Sequence, residues 1–486
     1  MLLLKNKYHC IFVALSCLFL IINAAFSQST QIRSVKPDQN VRMFQQNKDY
    51  IKEQRLYRTA QSYISMKNYA AAIRILRQLH QEKPSNIMYY HTLLRVYLIV
   101  GMLDDAQHLN DEMQQLNPDD PRIKIDQANI YFRLDQKDRA FDLWEGILKS
   151  HPEDLAVYSY VANTMLENKL YDKAIKVYQE AIQRIPKSFH LYQIIASIYQ
   201  SRLMYKEAAQ AFLKYLEAQP SQQQYVFNRI LSFQINPEER EDFFKMLEDY
   251  VKKSKQSDSI RLLMAQLYQR YREYKKAFRL YQQLDNNQKD SRYLLQFARA
   301  AETDSSFEIA LEAYKLVIEK YPEYRNLMDA YTGAVRTLFG MAEQEENIQY
   351  ANQAMQLIED AEVRFKNHPY LPSLIYLKGV FKLNYFFDVD GALAVFNNLI
   401  HRKKISAKYK DLSLIRAGEC QIIKGQLREA LKYFQLVEGK QQIGQAKLYM
   451  AKTYYFLNEW EKATEVLAEI IKKEGVKGEI TNDALA

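Results

Sequence analysis

The chain has 486 residues, 12 glycines, 11 prolines, 3 cysteines and a formal net charge of +9. Glycine is about 2.5% of the sequence against a usual ~7%, which argues against dinucleotide-binding sheets, phosphate-cradling loops and hairpin-rich β folds, all of which need positive-φ positions. With 48% hydrophobic and 26% charged residues the chain can build a large core, which argues against disorder and points to one long helical object.

The first 27 residues read as a targeting segment. Lys5 and Lys7 form a basic start, Ile11 to Ile22 is an unbroken apolar run, and Ala25 and Ser27 put small residues before Gln28. This is the layout of a secretory signal peptide cleaved between Ser27 and Gln28. A retained anchor is the alternative, since the apolar stretch from Cys10 to Phe26 sits at the lower limit for a membrane span. A lipoprotein modified at Cys17 is disfavoured, because the apolar run continues through Leu18–Ile22. Cleavage removes two lysines and no acid, so the mature charge is +7. It also removes Cys10 and Cys17 and leaves Cys420 alone, with no internal disulfide to form. The expected location is outside the cytoplasm, most simply the periplasm, with an outward-facing N-terminal anchor as the alternative. Residues 28–52 are a polar lead-in that runs into the first helix, flexible over 28–46.

From there the chain is periodic. Pro84, Pro118, Pro152, Pro186 and Pro220 stand 34 residues apart. Three further combs keep the same period: Ala72, Ala106, Ala140, Ala174, Ala208; then Ala60, Leu94, Ala128, Ala162, Ala196; then Tyr63, Tyr97, Tyr131, Met165, Tyr199. A fixed period of this length means stacked repeats. Each repeat reads as two helices, A and B. In the fourth, Leu155, Tyr158, Val161, Ala162 and Met165 are spaced for the first, and Ala174, Ile175, Tyr178, Ala181 and Ile182 for the second. The small residues let the backbones approach, and Trp144, Tyr178 and Phe212 fill the grooves beside them. Each proline ends helix B by pushing the preceding residue out of the α region, and it suits the first turn of the next helix.

This pattern resembles the tetratricopeptide repeat family. The first repeat reads LYRTAQSYISMKNYAAAIRILRQLHQEKP (56–84) and the fourth YSYVANTMLENKLYDKAIKVYQEAIQRIP (158–186). The resemblance implies an all-α, right-handed superhelical solenoid of about 11–12 helix-turn-helix repeats. Five regular repeats cover 53–222. Residues 223–257 read as a degenerate helical pair, with Asp242 in place of the helix B alanine and a helix start at Asn236, Pro237 and Glu239. Two repeats follow over 258–325, an elongated pair over 326–369, three repeats over 370–476 and a tail over 477–486. The apolar side of the last pair, Val466, Leu467 and Ile470, is expected to stay exposed, which would mark a truncated chain or a docking end.

The search for chemistry finds little. There is no HExxH, CxxC, GxSxG or GxxxxGK[ST], and no histidine pair has metal-ligand spacing. Cys420 reads as a buried thiol. Tyr268–Tyr281 interleaves aromatic and basic residues, but Tyr268, Tyr274 and Tyr281 fall on packing positions, so nucleic acid is not the expected partner. The expectation is a non-enzymatic chain with no metal or cofactor and no membrane span after cleavage.

What remains is the concave face, which the family resemblance assigns to helix A positions two, five, nine, twelve and thirteen. These give the candidates His91, Arg95, Arg122, Asn129, Arg133, Asn163, His190 and Gln193. Asn129 and Asn163 are suited to bond both N–H and C=O of an extended peptide. Arg95, Arg122 and Arg133 are suited to a carboxylate or another anion. Ile125 and Ser159 stand where the family's chaperone-tail clamp needs lysine, so that clamp is not expected. The function expected is a scaffold binding a protein or peptide outside the cytoplasm. The alternative is a component of an envelope secretion or exopolysaccharide-export apparatus touching an acidic polymer.

Overall fold

The fold was analysed in a computed structural model, which describes residues 37–288 and 290–474. The signal segment, the Ser27/Gln28 cleavage position and the tail lie outside the described residues. Twenty-four α-helices follow one another, with no strand among the described residues. The fold is an all-α solenoid of helical repeats. No helix of the described residues is long and apolar enough to cross a membrane.

The chain divides into two compact units, 1–204 and 205–486. In the first unit the helices are α1 (Pro37–Ser65), α2 (Tyr69–Glu82), α3 (Ile87–Val100), α4 (Leu103–Leu116), α5 (Pro121–Arg133), α6 (Lys137–Ser150), α7 (Leu155–Glu167), α8 (Tyr171–Arg184) and α9 (Leu191–Ser201). The alanine combs lie at its centre: Ala72, Ala106, Ala140, Ala174 and, on the A helices, Ala60, Ala128, Ala162 and Ala196 are all fully buried. One expectation fails at the start. Residues 37–46 are helical rather than flexible, because Gln, Arg and Met propagate a helix readily once its packed part has nucleated.

The prolines act chiefly on the residue before them. Lys83, Asn117 and His151 are drawn out at φ −140°, −141° and −130°, which stops helix B. Pro84, Pro118 and Pro152 then sit in the turn and not in the next helix. That helix is started by a further comb, Asn86, Asp120 and Asp154, whose side chains accept the free N–H of Met88 (3.0 Å), Arg122 (2.9 Å) and Ala156 (2.8 Å). Replacing Asp154 by alanine is expected to cost ~1 kcal/mol in a denaturant titration, since it caps both Ala156 and Val157.

The turn from helix A to helix B corrects a simple reading of the glycine shortage. Short helical turns do not avoid positive φ. Lys67, Gly101, Asp135, Lys169 and Leu203, again 34 residues apart, all have φ between 59° and 78°. Arg272, Ser305, Glu346, Phe387, Gly425 and Asn458 repeat the conformation in the second unit. Only Gly101 and Gly425 are glycines there. A non-glycine residue in this region costs roughly 1–2 kcal/mol. Lys169→Gly should therefore stabilise by about 0.5–1 kcal/mol, after the entropy that glycine adds to the unfolded chain. Gly101→Ala should destabilise by a similar ~1 kcal/mol although nothing lies near its Cβ position. Denaturation midpoints test both.

In the second unit the helices are α10 (Tyr205–Ala218), α11 (Gln223–Leu231), α12 (Pro237–Lys253), α13 (Ser257–Arg270), α14 (Tyr274–Gln288), α15 (Arg292–Thr303), α16 (Phe307–Lys320), α17 (Leu327–Glu345), α18 (Ile348–Arg364), α19 (Leu371–Asn384), α20 (Val389–Ile400), α21 (Ala407–Ile423), α22 (Leu427–Gln435), α23 (Ile443–Phe456) and α24 (Trp460–Glu474). The pair α11–α12 departs from the repeat. Asp242 is exposed and pairs with Lys206 at 2.5 Å, while Phe243 and Phe244 turn inward. Pro237 opens α12, but the Asn236 side chain makes no cap hydrogen bond. Further along, glycine replaces alanine where helices touch. A Cβ on Gly418 would stand 2.4 Å from the Phe434 ring, and one on Gly379 2.5 Å from Phe396. The last pair leaves its apolar side only partly open: Ile470 is buried against Leu448, while Val466 and Leu467 are half-buried. Tyr455, Phe456 and Trp460 are the large exposed side chains there.

Candidate functional site

The first unit carries a cavity of about 440 Å³ on its A helices. The A helices of three successive repeats, α3, α5 and α7, supply most of its wall, and Tyr57 of α1 also lines it. Two combs of period 34 line it. One is Arg95, Asn129 and Asn163; the other is Thr92, Asp126 and Tyr160. His91, Leu98 and Glu167 complete the rim. Each side chain arrives there because consecutive repeats place the same helix position side by side.

Four of the eight candidate residues converge on this cavity: His91, Arg95, Asn129 and Asn163. The other four are elsewhere. Arg122 folds back on the capping residue of its own helix, with its Nη2 donating to Asp120 Oδ2 at 2.6 Å. That pair holds the Asp120 carboxyl below its usual range. Arg133 is exposed and bears on the site only through its charge, which acts on Glu167. His190 ends a short 3₁₀ turn, and the Gln193 carbonyl accepts the Ser197 hydroxyl on α9. The position-five residues also differ from the family pattern. Ile125 is fully buried and Ser159 lies off the cavity, so the next residues, Asp126 and Tyr160, face it instead.

The polar groups are fixed by partners within the fold. Asn129 Oδ1 accepts from Asn168 Nδ2 at 2.7 Å, and Asn163 Oδ1 accepts from the Tyr178 hydroxyl at 2.9 Å. Both asparagines therefore spend their acceptor ends internally and offer amide N–H groups to the cavity. Thr92 donates to the Met88 carbonyl at 2.8 Å, so its oxygen receives the Tyr57 hydroxyl at 2.9 Å. The Tyr160 hydroxyl donates to Asp126 Oδ1 at 2.9 Å and stands 3.1 Å from His91 Nδ1. Having only one proton, Tyr160 receives the His91 Nδ1–H on its oxygen. Burial, reinforced by the Asp126 carboxylate, drives the Tyr160 ionisation far up, so this hydroxyl stays a donor. Glu167 opens onto the cavity, yet desolvation lifts its carboxyl above the usual range. Arg133 opposes that shift, Asp126 adds to it, and Arg95 also opposes it.

Among the described residues no group of His, Cys, Asp or Glu is arranged to hold a metal. Cys420 is fully buried in α21, and burial pushes its thiol up to about 12, the state of an unreactive core thiol. Sequence reasoning missed Asp126, Tyr160 and Thr92. Their spacing of 34 residues was visible, and it was the signal that could have found them.

Comparison with known proteins agrees with the repeat register. A sequence profile of the tetratricopeptide repeat matches residues 56–86 and 445–474, and a second profile of the same repeat matches 125–189. No curated protein matches the sequence. The solved structure of Naa15/Naa10 bound to HypK-THB is 14% identical over 89% of this chain, with a TM-score of 0.30; this chain spans 65% of that one. Yeast Tom70 is 14% identical over 89% of this chain and 94% of its own, with a TM-score of 0.31. YrrB, described as having an unusual peptide-binding site, is 21% identical over 40% of this chain and 92% of its own, with a TM-score of 0.30. Superpositions this distant carry no ligand or partner across.

Proposed function

The chain is a tetratricopeptide repeat protein, an interaction scaffold, and from that premise we propose that it is non-catalytic, acts outside the cytoplasm and holds a protein or extended peptide along its helix A face. The observation that carries the binding reading is the cavity over α3, α5 and α7, where two combs of polar side chains meet. Side chains aligned at one position in three repeats suit an extended chain, because both have a regular repeat along one direction. The Asn129 and Asn163 amides are placed to donate to successive carbonyls of such a chain. The location is supported by the N-terminal sequence, with its basic start, apolar run and small-residue site. The alternative, contact with an acidic polymer of an envelope export apparatus, finds little support at this cavity, whose wall holds Asp126 and Glu167 against one arginine.

Selection of displayed random peptides on the full-length protein tests the reading. A recurring peptide motif is expected, and Asn163→Ala with Arg95→Ala should weaken its binding about tenfold. Failure to enrich any motif, or equal binding by the variant, would remove the reading.

A further inference from the structure

Resting on that reading of the cavity, we infer that the segment it takes bears proline and lies in the extended left-handed helix of three residues per turn, held by its carbonyl oxygens and not by its N–H groups. The comb Arg95, Asn129, Asn163 turns donors toward the cavity. Arg95 carries five N–H groups and no acceptor. The Asn168 amide nitrogen that meets Asn129 also donates to the Thr164 carbonyl at 2.7 Å, so the partner it finds on Asn129 is the oxygen. The Asn163 oxygen already holds the Tyr178 proton. The nitrogen of each asparagine is the end left for a ligand.

Among the side chains lining the cavity, those between the donors leave no acceptor free for a peptide N–H. Asp126 Oδ1 takes the Tyr160 hydroxyl, and Oδ2 is turned inward to His91 Nδ1 at 3.2 Å, with the Tyr90 hydroxyl beside the carboxylate. Thr92 takes the Tyr57 hydroxyl. Glu167 and the outer nitrogen of His91 stand at the rim, off the comb. Spacing then selects the conformation. Helices α3, α5 and α7 lie side by side, joined by His91 to Asp126 and by Asp126 to Tyr160. Helices in contact are about 8–10 Å apart. Same-facing carbonyls recur every ~9.3 Å in the three-residue helix but every ~6.8 Å in a strand, so the former keeps step with one donor per repeat. The carbonyls that meet the comb are then three residues apart. Proline lacks the N–H that this wall cannot satisfy and holds φ near the value this helix needs. Its ring packs on aromatic faces, and Tyr57 and Tyr160 line the cavity.

The test takes the peptide selected on the full-length protein and alters its backbone. The enriched motif should carry prolines three residues apart. Methylating the backbone nitrogens of its other contact residues should leave the dissociation constant within about twofold. Replacing an X–Pro bond of the motif by an alkene, which deletes a carbonyl and no N–H, should weaken binding about tenfold. Asn163→Asp keeps an acceptor for Tyr178 but turns the donor facing the ligand into an acceptor. It should weaken binding about tenfold while the helical circular dichroism stays unchanged. A motif without proline, or a tenfold loss on N-methylation, overturns the proposal and leaves the peptide reading standing. Equal binding by Asn163→Asp also overturns it. Enrichment of no motif removes both.

Discussion

Trp144→Ala is expected to destabilise the first unit by about 4 kcal/mol. The indole is fully buried in α6 and packs against Phe132 at 6.0 Å and Phe141 at 5.8 Å. Its removal leaves a large hole between helices already held close by alanines, and such a lattice has little freedom to collapse. The conservative variant separates volume from polarity. Trp144 Nε1 is buried without an acceptor, so Trp144→Phe also removes an unpaired donor. That gain offsets part of the lost volume, and the net cost should be ~1 kcal/mol or less. Denaturant titrations followed by circular dichroism distinguish the two. Equal damage from Ala and Phe would show that the packing argument is wrong.

A second large effect concerns pH. Asp285 of α14 is fully buried and accepts the N–H groups of Tyr293 at 3.1 Å and Leu294 at 2.7 Å, which open α15. Burial outweighs these hydrogen bonds and lifts its carboxyl from 3.8 to about 6. Between those values the folded chain holds a proton that the unfolded chain has released. The contribution to stability is therefore full below about pH 4 and is lost as pH rises through about 6. The loss is on the order of 3 kcal/mol. Asp285→Asn should remove this slope from the pH profile of unfolding. A profile equally steep in wild type and variant would place the titration elsewhere.

The helical pairs were legible because their rules are local. Periodic alanines, the prolines and the spacing of large residues each constrain one helix or one neighbour, and Ala72, Ala106 and Ala140 lie fully buried. The lead-in was less legible. Polar composition does not distinguish a solvated helix from a flexible segment, and residues 37–46 are helical. The site was half legible. The comb Arg95, Asn129, Asn163 was found from its position on helix A. The comb Thr92, Asp126, Tyr160 was passed over for its neighbour His91, Ile125, Ser159, one residue of helix rotation away. The direction of the asparagine amides was not legible at all. It is set by Asn168 and by Tyr178, which lie outside the A-helix positions that were compared. Arg122 was misleading for a similar reason, since its partner Asp120 acts first as a helix cap.

The left-handed turns have one further consequence. At Lys67, Asp135, Lys169 and Leu203 the two flanking helices dictate the backbone, and the side chain stands in solvent. Such positions bear neither packing nor ligand contacts. They form a graduated scale along the first unit, one mark for every repeat except the second, where Gly101 holds the turn. Spectroscopic probes attached in pairs at those marks would read the spacing of neighbouring repeats directly. A partner chain that stiffens the array should narrow the distance distribution between marks without shifting a single core residue.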